Sequence, residues 1–172
     1  LRGDVLADPA AGFPPANMGM AFCYDSDRGV CVMHGGDRFN DDFFNNQVWE
    51  YNGTQWIRRP NAPDSRRYHT LDYHQAIRRG VRYGGYPEVN RTYYYDGVVW
   101  TTPGHGLDRN YYSQTMVYDA AYHDLILFSG HTKNQKTWAN SGTGWIDITG
   151  QLTQSPSGRS DYATTYDRAR QA

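Results

Sequence analysis

The chain has 172 residues, of which 15% are aromatic and 38% hydrophobic, and its formal net charge at pH 7 is −1. The composition is ordinary for a β domain with a core, and the near-neutral charge argues against nucleic acid and anionic membranes as partners. No stretch approaches the roughly 18 apolar residues of a membrane span. No signal peptide follows Leu1, and a first residue other than Met indicates a processed chain or a fragment.

Short strands are predicted from the first hydrophobic runs onward. MAFCYD and VCVMHGG flank the polar turn DSDRG, and QVWEYN and TQWIRR flank Asn52-Gly53, for which a type I′ turn is expected. Later hairpins carry Asp96-Gly97 and Ser141-Gly142 in the same place. No useful stretch has apolar residues at helical spacing, so the chain is predicted to be all-β.

Two sequence markers recur at a fixed period. Trp56, Trp100 and Trp145 end similar hairpins at spacings of 44 and 45 residues. The segments CYDSDRGVCVMHGG, DYHQAIRRGVRYGG and VYDAAYHDLILFSG align without a gap, and TYDRARQA starts a fourth copy at residue 165. Four short antiparallel strands per unit at this period are typical of a propeller blade.

The repeats divide one domain, 1–172, into consecutive units. The predicted units are 16–60, 61–108, 109–153 and a partial unit at 154–172, and residues 1–15 are expected to form an outer strand of a preceding blade. An open array would leave hydrophobic faces and sheet edges exposed. The chain is therefore predicted to hold an incomplete ring, whose missing blades come from the same longer chain or from other copies.

Several motifs resemble those of kelch repeats. They are the Gly-Gly pairs at 35–36 and 84–85, the Tyr-Asp pairs at 24–25, 118–119 and 166–167, the paired aromatics, and Arg66 with His69 ahead of a first strand. Ser129-Gly130 and Tyr73-His74 depart from the pattern, and only Arg159 repeats Arg66 at the aligned place. The resemblance implies a β-propeller of four-stranded antiparallel kelch-like blades.

The repeat-defining residues are interpreted as structural. Aromatic side chains are expected to bury against the next blade, and the glycines to take backbone conformations or close approaches closed to other residues. The residues assigned to this core are Trp49, Trp56, Tyr93, Trp100, Trp138, Trp145, Gly36, Gly85 and Gly130.

The two cysteines raise a question of strand register. A hairpin centred near Asp27 places Cys23 opposite Cys31, which predicts a cross-strand disulfide and an oxidising, extracellular or secreted location. The alternative is two packed free thiols, because the aligned pair of the third unit, Val117 and Leu125, is simply apolar. The sequons at 52–54 and 90–92 are weak signals, and a hairpin turn explains the first.

Candidate ligand-binding residues lie in the loops before each first strand. Arginine and tyrosine recur there, and converging guanidinium and phenol groups could hold a carboxylate, a sugar or an acidic side chain. The alternative is that each arginine closes its own loop on carbonyls of the adjacent blade. The candidates are Arg66, Tyr68, Arg109, Tyr111, Arg159 and Tyr162.

No catalytic or metal-binding constellation stands out. Asp41 and Asp42 with nearby asparagines offer oxygen ligands without a regular calcium-loop spacing, which favours a solvated turn. The six histidines are scattered singly, without zinc spacing. Some kelch proteins are copper oxidases, sugar epimerases or iron-dependent specifier proteins, but none of their site residues can be placed here. No cofactor is therefore predicted.

The favoured function is a non-catalytic binding or scaffold module that presents propeller loops to a protein or a glycan. One alternative is a carbohydrate-active enzyme, of oxidase or epimerase type, with its site at the channel mouth. Another is a structural subunit of an extracellular assembly.

Overall fold

The computed structural model describes residues 12–38, 44–87, 90–104, 106–107, 111–128, 130–131 and 135–171. Within these ranges the chain forms three four-stranded antiparallel sheets, each a meander in sequence order. This confirms the all-β class and the four-stranded units. Arg109, Asp41, Asp42 and residues 1–11 of the expected outer strand lie outside the described residues.

Each sheet is built from two consecutive hairpins. Sheet 1 contains β1 (Ala21–Asp25), β2 (Val30–His34), β3 (Val48–Tyr51) and β4 (Trp56–Arg59). Sheet 2 contains β5 (Thr70–His74), β6 (Arg79–Tyr83), β7 (Thr92–Tyr95) and β8 (Trp100–Thr101). Sheet 3 contains β9 (Thr115–Asp119), β10 (Asp124–Phe128), β11 (Thr137–Asn140) and β12 (Trp145–Asp147), and a single 3₁₀ turn follows at Thr149–Gln151.

The outer hairpin turns of sheets 1 and 2 depend on an Asn or Asp side chain followed by glycine. Asp96 Oδ1 accepts hydrogen bonds from the backbone N–H groups of Val98 and Val99, both at 2.8 Å. Gly97 has a φ of 99°. The equivalent Asn52 keeps a negative φ, so the expected type I′ turn at Asn52-Gly53 is wrong. The side-chain cap stabilises a longer turn in its place.

Consecutive sheets pack face to face. We call the side of each sheet that faces the next sheet its forward face, and the opposite side its back face. The forward face of sheet 1 and the back face of sheet 2 share a buried cluster that includes Cys23, Val32, Leu71, Tyr73 and Tyr95. A second cluster joins sheets 2 and 3, and its members include Val81, Tyr83, Met116, Tyr118, Leu125, Leu127 and Trp138. The first strands β1, β5 and β9 lie in sequence beside one another.

The marker aromatics divide into two groups by burial. Trp49, Tyr93 and Trp138 on the third strands are buried, whereas Trp56, Trp100 and Trp145 on the outer strands are half-buried. Trp145 still packs on Tyr83 of the preceding sheet, with ring centroids 5.7 Å apart. Trp100 and Trp145 therefore cover the edges of the two interfaces and do not occupy their centres.

Backbone hydrogen bonds connect each sheet to the lead-in of the next unit. The N–H groups of Gly36, Gly85 and Gly130 donate to the carbonyls of Arg66, Tyr111 and Arg159 at 2.7, 2.8 and 3.1 Å. These three glycines have positive φ. The first glycine of each Gly-Gly pair also serves this contact, because a Cβ at Gly35 or Gly84 would clash with the carbonyl oxygen of Arg66 or Tyr111 in the next unit.

A second set of hydrogen bonds, which we call the belt, links one residue of every unit to the next. The N–H of Tyr68 donates to Gly19 O at 2.7 Å, that of Ser113 to Tyr68 O at 2.8 Å, and that of Asp161 to Ser113 O at 3.2 Å. All four residues are in the left-handed region, with φ between 54° and 67°. The belt therefore extends the repeat geometry into the fourth, partial unit.

Replacing Gly84 with alanine tests the close approach. A Cβ at Gly84 would lie 2.1 Å from the carbonyl oxygen of Tyr111, at a φ of 70°. We expect the free energy of unfolding to fall by about 2–3 kcal/mol, because left-handed strain and a backbone clash add together. Urea unfolding measures the loss. Gly150→Ala is the matched control, since a Cβ there meets nothing within 4 Å, and equal losses in both variants would contradict the interpretation.

The cysteines do not pair. In the β1–β2 register Cys23 lies opposite Val32 and Cys31 opposite Tyr24, one residue away from the expected pairing. Because side chains alternate between faces, the one-residue shift places the two sulfurs on opposite sides of sheet 1. Both are free thiols, so the expected disulfide is wrong. Burial raises the pKa of the Cys23 thiol well above its usual value.

Candidate functional site: a tyrosine-lined cleft between the first strands

The arginines of the predicted loops make local and structural contacts. Arg66 is 3% exposed, and its Nη1 donates to the carbonyl of Pro87 at 2.6 Å. Arg159 is exposed, and its Nε donates to the carbonyl of Ser157 at 3.0 Å. Both carbonyls belong to the arginine's own unit, so these contacts close loops, but not on the adjacent blade as the alternative interpretation expected.

The tyrosines of the same loops also have separate roles. Tyr68 belongs to the belt, Tyr111 is buried in the core between sheets 2 and 3, and the hydroxyl of Tyr162 donates to the carbonyl of Phe128. Among the residues that the structure describes, the predicted arginines and tyrosines do not converge on one site.

Arg66 belongs to a buried charge cluster between sheets 1 and 2. Asp64 accepts hydrogen bonds from Arg66 Nε at 3.0 Å, Arg66 Nη2 at 2.9 Å, Arg82 Nη2 at 2.6 Å and the Tyr93 hydroxyl at 2.9 Å. The Arg82 guanidinium carbon lies 4.2 Å from the centroid of the Tyr93 ring. One carboxylate therefore compensates two guanidinium groups that are almost fully buried.

Two histidines extend this cluster, and their tautomers follow from the donor inventory. Arg82 Nη1 lies 3.1 Å from His34 Nε2, and a guanidinium can only donate, so that nitrogen accepts. His34 Nδ1 then carries the proton and donates to His69 Nε2 at 2.9 Å. His69 in turn carries its proton on Nδ1, a buried atom that has no hydrogen-bond partner in the described part of the chain.

Burial and neighbouring charges fix the protonation state of each group in the cluster. Burial, reinforced by the positive charge of Arg82, lowers the pKa of His34 and His69 well below the usual value, so both are neutral. Burial of Asp64 opposes ionisation, but hydrogen bonding from Arg66 and the charge of Arg82 outweigh it and lower its pKa. Burial lowers the pKa of Arg82 to about 10, which leaves it charged at neutral pH.

A second buried charge lies nearer the outer strands of the same interface. Glu50 is fully buried and accepts hydrogen bonds from Arg28 Nη1 and Arg59 Nε, both at 2.7 Å. The hydroxyl of Tyr95 in sheet 2 lies 3.2 Å from the same carboxylate. Both clusters therefore join sheet 1 to sheet 2.

The first strands and the last segment of the chain line an open cleft of about 270 Å³. Its walls include one tyrosine from each unit at the same repeat position: Tyr24, Tyr73, Tyr118 and Tyr166. We call it the first-strand cleft. Polar side chains alternate with these rings, among them Ser26, Asp72, Gln75, Thr165 and Arg168.

Asp72 is an organised acceptor in this cleft. Its Oδ1 accepts the backbone N–H of Tyr73 at 2.8 Å, and its Oδ2 accepts that of Tyr118 at 2.7 Å. Burial raises the pKa of the Asp72 carboxyl above its usual value, against the opposing effect of these two hydrogen bonds. Burial also raises the pKa of Tyr73 and Tyr118, so both phenols keep their protons.

The cleft lies at the opposite end of the first strands from the predicted loops. Those loops precede the strands, whereas Tyr24 lies near the end of β1 and Ser26 follows it. The signal was present as the tyrosine that recurs twelve residues before each final glycine, at Tyr24, Tyr73 and Tyr118. The spacing identifies this tyrosine as a repeat marker, but spacing alone does not say that equivalent side chains meet.

Within the ranges that the structure describes, no group of three or more His, Cys, Asp or Glu residues is arranged to hold a metal ion. No helix there is long and apolar enough to span a membrane.

Neither the protein-family models nor the curated proteins include a match to this chain. The kelch resemblance therefore stays a prediction from the residues.

Proposed function

We propose that the chain is a non-catalytic binding module of a kelch-like propeller, and that it takes a saccharide in the first-strand cleft. The observation that carries the proposal is the convergence of Tyr24, Tyr73, Tyr118 and Tyr166, one from each unit, on a single polar cleft. Concave sites that combine aromatic faces with a few convergent polar groups are typical binding sites.

The chemistry of the lining favours a sugar among small ligands. The C–H faces of a pyranose pack on aromatic rings, and Tyr24 is 55% exposed and available for such packing. Sugar hydroxyls both donate and accept, which matches an Asp72 acceptor beside the Ser26 and Thr165 hydroxyls and the Gln75 amide. Arg168 adds a cationic group, which extends the ligand class to acidic sugars.

Binding to a panel of neutral and acidic oligosaccharides, measured by calorimetry, tests the proposal. We expect Tyr24→Ala and Gln75→Ala to weaken binding of the retained sugar at least tenfold, because each removes a lining group. Tyr122→Ala is the matched control, since Tyr122 is exposed and outside the cleft lining, and its affinity should equal that of the unmodified chain.

Two results would overturn the proposal. One is a panel from which no sugar binds. The other is a sugar whose affinity is the same in the Tyr24 and Gln75 variants as in the Tyr122 variant, because that sugar binds elsewhere.

A further inference from the structure

The β1 part of the back face of sheet 1 lacks the cover that the first strands of sheets 2 and 3 have, whereas Met33 and Trp49 on the same face are buried. Phe22 and Tyr24 on β1 are 52% and 55% exposed. The residues at the same repeat positions in sheet 2 are Leu71 and Tyr73, each 4% exposed, and in sheet 3 Met116 and Tyr118, each 6% exposed. In both cases the preceding sheet provides the burial.

Trp56 follows the same pattern. Trp100 and Trp145, at its repeat positions in sheets 2 and 3, pack on the interface with the preceding sheet. Trp56 instead contacts aromatic rings of its own sheet, with centroids 5.3 Å from Tyr51 and 6.3 Å from Phe22. Phe22, Tyr24 and Trp56 therefore occupy the positions of a back-face interface, and among the described residues no preceding sheet covers them.

The other end of the chain has the complementary surface. Residues 159–168 take the place of a first strand after sheet 3: Asp161 continues the belt, and Thr164 Oγ1 lies 2.5 Å from Thr115 Oγ1 on the forward face of sheet 3. By repeat position Ala163 and Thr165 correspond to Ala21 and Cys23, the small forward residues in the cluster with Leu71 and Tyr73. Unlike those two, Ala163 and Thr165 are exposed.

We propose that these two ends bind each other between copies of this chain, head to tail. Phe22 and Tyr24 of one copy pack on Ala163 and Thr165 of a second copy, and the Gly19 N–H of the first donates to the Asp161 carbonyl of the second. The proposed contact continues an interface that the chain already builds between sheets 1 and 2 and between sheets 2 and 3. A second copy is the occupant because it carries the matching end at the same belt position.

The symmetry of such a contact limits the assemblies. Two different surfaces meet, so the contact is heterologous and produces either a closed ring or an open chain of copies. A net charge of −1 per chain adds little repulsion between copies. Tyr24 and Thr165 belong both to the proposed contact and to the first-strand cleft, whereas Phe22 does not line the cleft. A substitution at Phe22 therefore tests association without removing a residue of the proposed saccharide site.

Sedimentation equilibrium of the 172-residue chain over a hundredfold concentration range tests the association. We expect the mean mass to rise from 19.7 kDa toward multiples of it. Phe22→Asp should weaken association at least tenfold, whereas Val98→Asp, which also places a carboxylate at an exposed apolar position, should leave it unchanged. A constant mass of 19.7 kDa, or equal weakening by both variants, would overturn the proposal.

Disulfide cross-linking decides the orientation. In a Cys31→Ser background, mixing chains that carry Phe22→Cys with chains that carry Ala163→Cys should yield a covalent dimer of one chain of each kind. Each variant alone is the control. A dimer that forms as readily from Phe22→Cys alone would show that two back faces meet, and would overturn the head-to-tail arrangement. Circular dichroism checks that each variant keeps the β-sheet spectrum of the unmodified chain.

Discussion

Replacing Asp64 with asparagine is expected to lower the free energy of unfolding by about 3–5 kcal/mol, the cost of leaving buried charges without their partner. Asp64 accepts hydrogen bonds from Arg66 and Arg82, whose side chains are 3% and 1% exposed. Asparagine keeps the shape and one acceptor oxygen, but it supplies no negative charge. Chemical denaturation at neutral pH measures the loss. The dependence of the unfolding free energy on denaturant concentration is compared between the variant and the unmodified chain.

The control for this variant is an ion pair on the surface. Asp167 pairs with Arg170, whose side chain is 84% exposed, so Asp167→Asn should change stability by less than about 0.5 kcal/mol. A loss below about 1 kcal/mol in Asp64→Asn would show that Arg66 and Arg82 find other partners or water, and that the cluster does not hold sheets 1 and 2 together.

Stability is also expected to fall steeply as the pH drops from about 6.5 to 5. Burial lowers the pKa of His34 and His69 well below that of the unfolded chain, so below about pH 6.5 the unfolded state binds protons that the folded state excludes. Each histidine then lowers the free energy of unfolding by up to about 1.4 kcal/mol for each pH unit. His74, whose pKa burial also lowers, acts in the same direction.

Carboxyl groups change the free energy of unfolding at lower pH than the histidines do. Burial raises the folded-state pKa of Asp72, so its protonation favours the folded state as the pH falls toward 4. The folded-state pKa of Asp64 is lowered, so its contribution is lost only below about pH 3.8. The window between pH 6.5 and 5 therefore reports mainly on the histidines.

The measurement is the pH dependence of the unfolding free energy in several variants. His34→Gln and His69→Gln should each reduce the slope between pH 6.5 and 5 by about one proton. Gln75→Ala, which removes a side chain that does not titrate, should leave the slope unchanged. A slope that stays the same in both histidine variants would mean that these residues bind protons equally in the folded and unfolded states.

Much of the secondary structure was predictable because it depends on local pattern. Short β-branched and aromatic runs about glycine-containing turns predicted the four strands of sheet 1, and the aligned segments and the 44- and 45-residue spacings of the tryptophans predicted the succession of sheets. The β1–β2 pairing was predictable only to within one residue. A shift of one residue exchanges the two faces of a strand, so this difference places Cys23 and Cys31 on opposite faces of sheet 1, where they cannot form a disulfide.

The predicted ligand-binding loops and the first-strand cleft lie at opposite ends of the first strands. Arg66 has the residue type expected of a ligand-binding arginine, and only the position of Asp64 and Pro87 around it shows that its guanidinium is already occupied. Conversely, Tyr24 and Tyr166 are far apart in sequence, and each by itself is an ordinary strand residue. No local pattern reports which side chains meet across several units.

The sequence by itself determined the all-β class, the four-stranded units and their period, because strand propensity, turn chemistry and repeat spacing act over a few residues or at a constant interval. Only the tertiary structure decided the register of β1 and β2, the burial of Arg66, the tautomers of His34 and His69, and the cleft between the first strands. These features depend on contacts between units, such as the hydrogen bond from the Tyr118 N–H to Asp72 across 46 residues. Such contacts depend on how the sheets pack on one another. That packing is determined by the shape and burial of side chains throughout the molecule.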